Sequence, residues 1–449
     1  MRKILAIAAA LALVLGAAHI LTGSQPAPKN ASAAEQANGG SVYYLNFKPE
    51  QAQQWQDVAR QYTQQTGVPV TVVTAASGTY EDALRAEMAK SDPPTLFQVN
   101  GPVGLRAWRD WCLDLRKTRL YQSLPNDAFA LLDSEEVPAV AYAIETYGLI
   151  YNKTLLNKYC ALEGAVIADA SQITSFETLR AVAEDIQRRK EEIGVLGAFT
   201  SAGMDASSDW RFKTHLVNLP LYYEYRDDGI SSAETIRGEY LPQLKQVWDL
   251  YIHNATCPPA MIGAKTGEDA ASEFALGEAV FYQNGTWAHG DITAEGLGED
   301  EIGMLPIYIG VEGEEMQGLC TGSENYWCIN RLAAPEDIEA TIAFVDWLAA
   351  TPEGQQVMNE QLGLTTPFGE TEPANALQAV ARADLESGRI PVSWAFTTIP
   401  SDRWKTRVGA ALLEYAQGGV QWDAVERAFI DGWAEESAAA NCMEHRYGT

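Results

Sequence analysis

Val42–Phe47 (VYYLNF) is a short run of aromatic and aliphatic side chains, the composition of a strand. Pro49 then opens a stretch in which Trp55, Val58, Ala59 and Tyr62 recur at helical spacing, and Gly67 stands where such a helix would stop. Val68–Thr74 predicts a second strand. Tyr80–Lys90 predicts a second helix, with Thr79 at its cap and Asp82 near the capping-box position, and Thr95–Val99 a third strand. This alternation predicts right-handed βαβ units on a mostly parallel sheet. The same grammar returns in a short apolar run at Gly148–Tyr151 and a helix framed by Thr174 and Glu177, with Leu179, Val182, Ala183 and Ile186 on one face. Strands follow at Val195–Thr200 and Ala279–Gln283, the latter ending in Asn284-Gly285. Pro335 opens a helix with Ile338, Ile342, Val345 and Leu348 on one side, and helices around Trp404–Ala416 and Asp423–Glu436 close the chain. No repeat of about 20–50 residues recurs, which excludes solenoids and propellers.

The first residues do not fit this grammar. Met1-Arg2-Lys3 is a basic start, Ile4–Leu15 is an unbroken apolar run that continues past Gly16 to Leu21, and Ala31-Ser32-Ala33 is a small-x-small site. That is the pattern of a secretory signal, expected over residues 1–33. Ile4–Leu21 is also close to the ~20 residues of a spanning helix, so an uncleaved anchor is the competing reading. No cysteine follows the apolar run before Cys112, which leaves no acyl anchor point and predicts that the protein is not a lipoprotein. Residues 34–41, in a stretch rich in Gly, Ser, Ala and Pro, read as a linker.

Length and charge narrow the partners. At about 100–200 residues per domain, 449 residues make two to four domains. With 47% hydrophobic and 20% charged residues the composition is that of a folded chain. The net charge is −28, and loss of residues 1–33 would remove Arg2, Lys3 and Lys29 but no acid, leaving −31. Such a chain lacks the basic surface that nucleic acid or anionic lipid requires. The six cysteines, at 112, 160, 257, 320, 328 and 442, allow 15 full pairings, and Cys320 and Cys328 are near enough in sequence to bridge a hairpin loop.

Catalytic signatures are missing. There is no GxSxG, HExxH or Walker-type loop, no GxGxxG after the first strand, no CxxC, and the five histidines are isolated from one another. No cofactor and no metal is expected. A glycosidase-type carboxylate pair would leave no sequence spacing to recognise. Aromatic residues at turn-like positions are plentiful: Tyr80 after Ser77-Gly78-Thr79, Trp210 after Ser208-Asp209, Tyr222, Tyr223 and Tyr225 around Glu224, Trp287 after Asn284-Gly285-Thr286, and Trp404 after Pro400-Ser401-Asp402-Arg403. Core packing competes for each of them, and Trp55, Trp347 and Trp422 sit within helical patterns. Flat aromatic faces with Asn, Asp and Glu at their rims are what a sugar ring requires.

Several segments carry a family likeness. Ala143-Ile-Glu-Thr-Tyr-Gly-Leu-Ile-Tyr-Asn-Lys153 ends a strand in IYNK; Ala75–Tyr80 and Pro94–Pro102 precede it, and Gly277–Ile292 (GEAVFYQNGTWAHGDI) and Thr321–Tyr326 follow. The chain resembles the extracellular solute-binding proteins of ABC transporters, family 1, the sugar-binding group that includes the maltose-binding protein, over essentially all of 42–437. The resemblance implies an α/β, periplasmic-binding-protein type II fold: two α/β lobes with a multi-stranded hinge and a ligand cleft between them. Lobe 1 is expected over 42–144 and 303–350, lobe 2 over 145–302 and 351–437, and a C-terminal tail over 438–449. It further implies an exported monomer, periplasmic or at the cell surface, that binds a mono- or oligosaccharide by lobe closure. That monomer would deliver its ligand to permease subunits driven by a separate ATPase, and would not be an enzyme.

By the same resemblance Glu145 falls where the first crossover strand offers a carboxylate, and Ile302–Pro306 matches the second crossover. Trp287 matches the tryptophan of the NG-x-W turn beside Asn284, and Trp404 lies near another sugar-stacking tryptophan. Arg407 is close to a family arginine but one residue short of its spacing. Asn46, Thr79, Tyr80, Asn100 and Gly101 occupy first-lobe loops that reach the cleft, Trp210, Tyr223 and Glu224 second-lobe positions, and Glu324 the Thr321–Tyr326 segment. His289 stands where an aromatic often follows. The competing readings are a two-lobed binder of a polyamine, metal chelate or peptide, a secreted glycosidase, and a receptor-coupled sensor.

Overall fold

The computed structural model describes residues 39–447, apart from 77, 202, 295, 370 and 371, with side chains through residue 440. The expected signal segment and residues 34–38 of the linker lie outside the described residues. Twelve strands among the described residues are, in chain order, β1 Val42–Asn46, β2 Val70–Thr74, β3 Leu96–Asn100, β4 Ala130–Asp133, β5 Glu136–Ala141, β6 Glu145–Asn152, β7 Gly197–Phe199, β8 Ala279–Gly285, β9 Ile302–Leu305, β10 Gln317–Gly322, β11 Asn325–Ile329 and β12 Ile390–Val392. They form two sheets, ordered β2-β1-β3-β11-β5-β4 and β12-β10-β6-β8-β7, with β9 also on β6.

Each sheet is the centre of a lobe. In the first, side chains of one strand alternate between two faces, as a pleated strand requires. Val42 and Tyr44 enter one apolar cluster and Leu45 the other; Leu96 joins the former, Phe97 and Val99 the latter. Helix α1, Ala52–Thr66, covers one face with Trp55, Val58, Ala59 and Tyr62, and the chain leaves it at Gly67. Helices α2, Tyr80–Met88, and α3, Gly101–Trp108, cover the other. Covering both faces is what makes these strands nearly uninterrupted apolar runs. The second sheet is buried likewise, beneath the helices 176–188, 241–253, 402–416 and 422–447.

The chain crosses between the sheets at three adjacent places: 142–144, 323–324 and near 365. Ile144 N donates to Thr365 O at 2.7 Å, Ser323 Oγ to Ala143 O at 2.6 Å, and Tyr142 N to Asn325 O at 3.4 Å. These backbone-anchored crossings are the hinge.

Several expectations are corrected. The sheets are mixed: β1 pairs β2 and β3 in parallel, but β11 runs antiparallel to β3 and β5, and β6 antiparallel to β8, β9 and β10. Residues 303–322 belong with the second sheet, because β9 and β10 pair β6, not with lobe 1. Residues 351–368, expected in lobe 2, pack in the first lobe, where Val357, Met358, Leu362, Leu364 and Phe368 share a core with Val42 and Tyr44. The expected tail from 438 is helical through Tyr447. Thr79 does not cap α2 through its side chain; its hydroxyl donates to Ala76 O at 2.9 Å. Ser175, not Thr174, caps the helix 176–188 by accepting from Thr178 N. Cys320 and Cys328 lie in different sheets, which removes the hairpin bridge. Among the described residues no helix is long and apolar enough to cross a membrane.

Candidate functional site

The first wall of the cleft is polar and begins where β1 ends. Asn46 Nδ2 donates to Lys48 O at 2.8 Å and to Thr74 Oγ1 at 3.1 Å, while its Oδ1 accepts from Lys48 N at 3.1 Å. This local turn carries Lys48 to the hinge, where its Nζ lies 2.6 Å from Glu145 Oε1 and 3.6 Å from Glu50. Asn325 Nδ2 donates to the other Glu145 oxygen at 3.1 Å. Lys48 and Glu145 side chains are only 5% and 7% exposed. Burial alone would pull the Lys48 ammonium down, but Glu145 and Glu50 outweigh it and hold its pKa above the ordinary lysine range. An ion pair so enclosed is strongly interdependent, because loss of either partner strands a charge.

Glu324 sits beside this pair on the hinge. Burial raises its carboxyl pKa to about 7, with Glu145 and Asp402 adding to the rise and Lys405 and Lys48 opposing it. Lys405, on the helix 402–416, pairs with Asp402 at 3.0 Å. The Glu324 carbonyl accepts from Gly101 N at 3.1 Å.

The second wall is aromatic. Tyr147 on β6 is fully buried, and its hydroxyl donates to His215 O at 2.9 Å. The His215 ring stacks on Tyr147 at 4.4 Å and 13°. Around it stand Trp210 at 5.1 Å, Trp287 at 5.3 Å, Trp394 at 5.9 Å and Phe396 at 5.0 Å. Trp210 and His215 are brought together by a wide π-helical turn, Arg211–Leu216, a distortion frequent at functional positions. Burial, reinforced by Arg211, lowers the His215 pKa to about 3, so its imidazole is neutral. Trp394 packs against the hinge at Gly322, where a Cβ would fall 2.6 Å from Trp394 Cγ.

The two walls approach closely at the N-terminus of α3. Gly101 has φ +64, and a Cβ there would lie 2.9 Å from Thr397 Cβ. On the two walls four buried polar atoms have no hydrogen-bond partner: Asn100 Oδ1 and Asn325 Oδ1 from the first lobe, Trp287 Nε1 and Trp394 Nε1 from the second. Orphaned buried donors and acceptors each cost ~1–3 kcal/mol, so these four are groups that a polar guest could satisfy.

The predicted residues divide. Asn100, Gly101, Glu145, Trp210, Trp287 and Glu324 are brought to the cleft. Asn46 shapes the turn carrying Lys48, and Asn284 is occupied by Tyr282 Oη at 2.5 Å and Gly285 N at 2.9 Å. Others serve packing. Tyr80 ties α2 to the sheet through Gln98 N and Leu45 O. Thr79 is an exposed turn residue. Tyr223 is buried with its hydroxyl on Gln317, and Glu224 accepts from Arg237 N and Glu239 N. Trp404 is fully buried against Phe429 and Trp433 and donates to Phe429 O at 2.8 Å. Arg407 pairs at the surface with Glu435. His289 pairs with Glu299 at 2.5 Å. Sequence reasoning missed Lys48, His215, Trp394 and Lys405. Lys48 directly after the first strand and Trp394 directly after Pro391-Val392-Ser393 were the available signs. Among the described residues no group of three His, Cys, Asp or Glu side chains could hold a metal ion.

Comparisons agree with this geometry. No curated protein matches the chain. The GacH receptor of Streptomyces glaucescens, solved unliganded and with acarbose, superposes with a TM-score of 0.66 at 17% identity, covering 89% of this chain and 99% of that one. The solute-binding protein RafE in complex with raffinose gives 0.68 at 17%, covering 88% and 99%. The maltose/maltodextrin-binding domain MalE of Bdellovibrio bacteriovorus, bound to maltotriose, gives 0.61 at 12%, covering 89% and 100%. These likenesses establish the type II binding fold, with two lobes, a hinge and a cleft. The family model described as bacterial extracellular solute-binding protein matches residues 57–382, most of the chain, and the protein belongs to that family.

Proposed function

We propose that the protein captures a neutral carbohydrate in the cleft and hands it to the permease of an ABC transporter, with a separate ATPase supplying the energy. The carrying observation is the aromatic wall of Trp210, Trp287 and Trp394 around a neutral His215, with two unpartnered indole N–H groups. Indole faces receive the C–H surfaces of a sugar, and the orphaned N–H, Asn100 and Asn325 groups receive its hydroxyls. The relatives solved with acarbose, raffinose and maltotriose support the same ligand class. The protein works as an exported monomer, freely periplasmic or tethered at the cell surface, and binds without turnover.

A polyamine fits less well. Near the hinge Lys48 and Lys405 stand among Glu50, Glu145, Glu324 and Asp402, and burial favours the protonated form of Glu324, which reduces the negative charge open to a polycation. Thermal-shift screening over mono- and oligosaccharides and spermidine tests the choice, since a ligand that binds only the folded state raises Tm. Stabilisation by at least one saccharide and none by spermidine is expected, and the reverse overturns the reading. In calorimetry with the best saccharide, Trp287→Ala is expected to weaken binding by about 1.5–3 kcal/mol, roughly 10- to 150-fold. Unchanged affinity removes Trp287 from the site. Release of reducing ends from that saccharide would instead favour a glycosidase.

A further inference from the structure

Residue 112 follows the turn Arg109–Trp111 and runs antiparallel to the end of β11. Leu113 N donates to Ile329 O at 2.9 Å, Arg331 N donates to Trp111 O at 2.8 Å, and Cys112 bridges Asn330. Side chains alternate along a strand, so positions 328 and 330 project to one face of the sheet, the face Cys112 shares across the bridge. Both thiols are fully buried in the same cluster with Phe97, Val99 and Trp108. The Cys328 thiol is pushed well above its ordinary pKa by burial and by hydrogen-bonding contact with the Cys112 thiol. The other described cysteines are elsewhere: Cys160, Cys257 and Cys320 belong to or pack on the second lobe.

We infer that Cys112 and Cys328 are joined as a disulfide in the exported protein. Extracellular family membership supplies the setting in which disulfides persist. The oxidant is a protein or small-molecule disulfide of that compartment. The thiolate of one cysteine attacks a sulfur of the oxidant, breaking its S–S bond and expelling one thiolate. The second cysteine, as thiolate, then attacks the mixed disulfide, forms the Sγ–Sγ bond and expels the other. Two protons leave the cysteines, and the oxidant, reduced by two electrons, takes up two to become a pair of thiols. Burial suppresses formation of the Cys328 thiolate in the finished fold, so the exchange belongs to the stage before α2 and α3 close over the sheet. The link joins positions 216 apart and encloses all of β4 to β10.

The test uses full-length chain recovered from the oxidising extracytoplasmic space of a bacterial host, denatured in iodoacetamide without reductant and digested. Mass spectrometry is expected to find one peptide pair joining Cys112 to Cys328 and alkyl groups on the other four cysteines. Alkylation of both Cys112 and Cys328, or a link from either to another cysteine, overturns the inference. Unfolding and refolding in dithiothreitol should lower the parent Tm by several degrees and leave that of Cys328→Ser unmoved. Equal sensitivity of the two proteins, or none in the parent, counts against it. If Cys328→Ser does not fold, the peptide map on the parent decides alone.

Discussion

The two walls of the cleft solve opposite problems. The first-lobe and hinge side buries charge and satisfies it internally, with Lys48 clamped by Glu145 and Glu50 and Glu145 also held by Asn325. The second-lobe side gathers aromatic rings with the buried Arg211 against Trp210, keeps His215 neutral, and leaves two indole N–H groups without partners. The difference separates holding the hinge from holding the ligand. The charged members of the first network satisfy each other and fix geometry, whereas the idle groups, Asn100 Oδ1 and Asn325 Oδ1 beside it and the two indole N–H groups on the aromatic wall, are free to accept a guest.

The largest expected effect breaks the charged wall. Glu145→Ala would leave the Lys48 ammonium only Glu50, at 3.6 Å, and should cost stability at the lower end of the ~3–5 kcal/mol that breaking a buried pair takes, read from the urea midpoint. Removing all three charges together, with Lys48→Met, Glu145→Leu and Glu50→Gln, should recover most of that loss. A single variant as stable as the parent would mean that the pair does not organise the hinge. The next effect concerns where the walls meet. Gly101→Ala places a Cβ at φ +64 against Thr397, adding about 1–2 kcal/mol of backbone strain and obstructing close approach. Saccharide affinity should fall about tenfold by calorimetry, and parent-like binding would mean that closure does not bring these elements together.

The smallest effect sharpens the comparison through pH. Glu324, at about 7 in the fold against an ordinary 4.5, holds its proton longer in the folded state. Its contribution is present below pH 4.5 and is lost as pH rises through 7. His215, at about 3 against an ordinary 6.5, resists protonation in the fold, so its contribution is present above pH 6.5 and is lost as pH falls toward 3. Between pH 4.5 and 6.5 the two slopes oppose each other, each at most about 1.4 kcal/mol per pH unit. Glu324→Gln should make stability fall more steeply on acidification through that window, and His215→Phe less steeply, as read from Tm against pH. Parallel curves for both variants would contradict the assigned contrast.

The fold was legible where one strand or helix declares itself. The α1 face of Trp55, Val58, Ala59 and Tyr62 needed only periodicity, and the order of family-like segments carried the two-lobe plan. Strand direction and lobe membership were not legible for β9 to β11, because pairing with β6 or β3 is decided by residues 150–233 positions away. The site was legible where a turn motif positions the ring, as at Trp287 and Trp210. It failed at Trp404, whose local context resembles theirs but whose ring is enclosed by Phe429 and Trp433 from the last helix. Nothing near Lys48 or Trp394 in sequence announces Glu145 or Gly322, their partners across the hinge.

The place of β11 sets a clock on how the molecule can be made. It lies between β3 and β5, yet Asn325 follows Ala141 by 184 residues. At about 5–20 residues per second of synthesis, roughly 10–40 s separate the emergence of β5 from that of the strand that must sit beside it. For that interval the first sheet is split, with the edges of β3 and β5 unpaired while the whole second-lobe strand set β6 to β10 is added. The nascent first lobe therefore stays open until late, which suits a chain that must be threaded through an export channel before it folds.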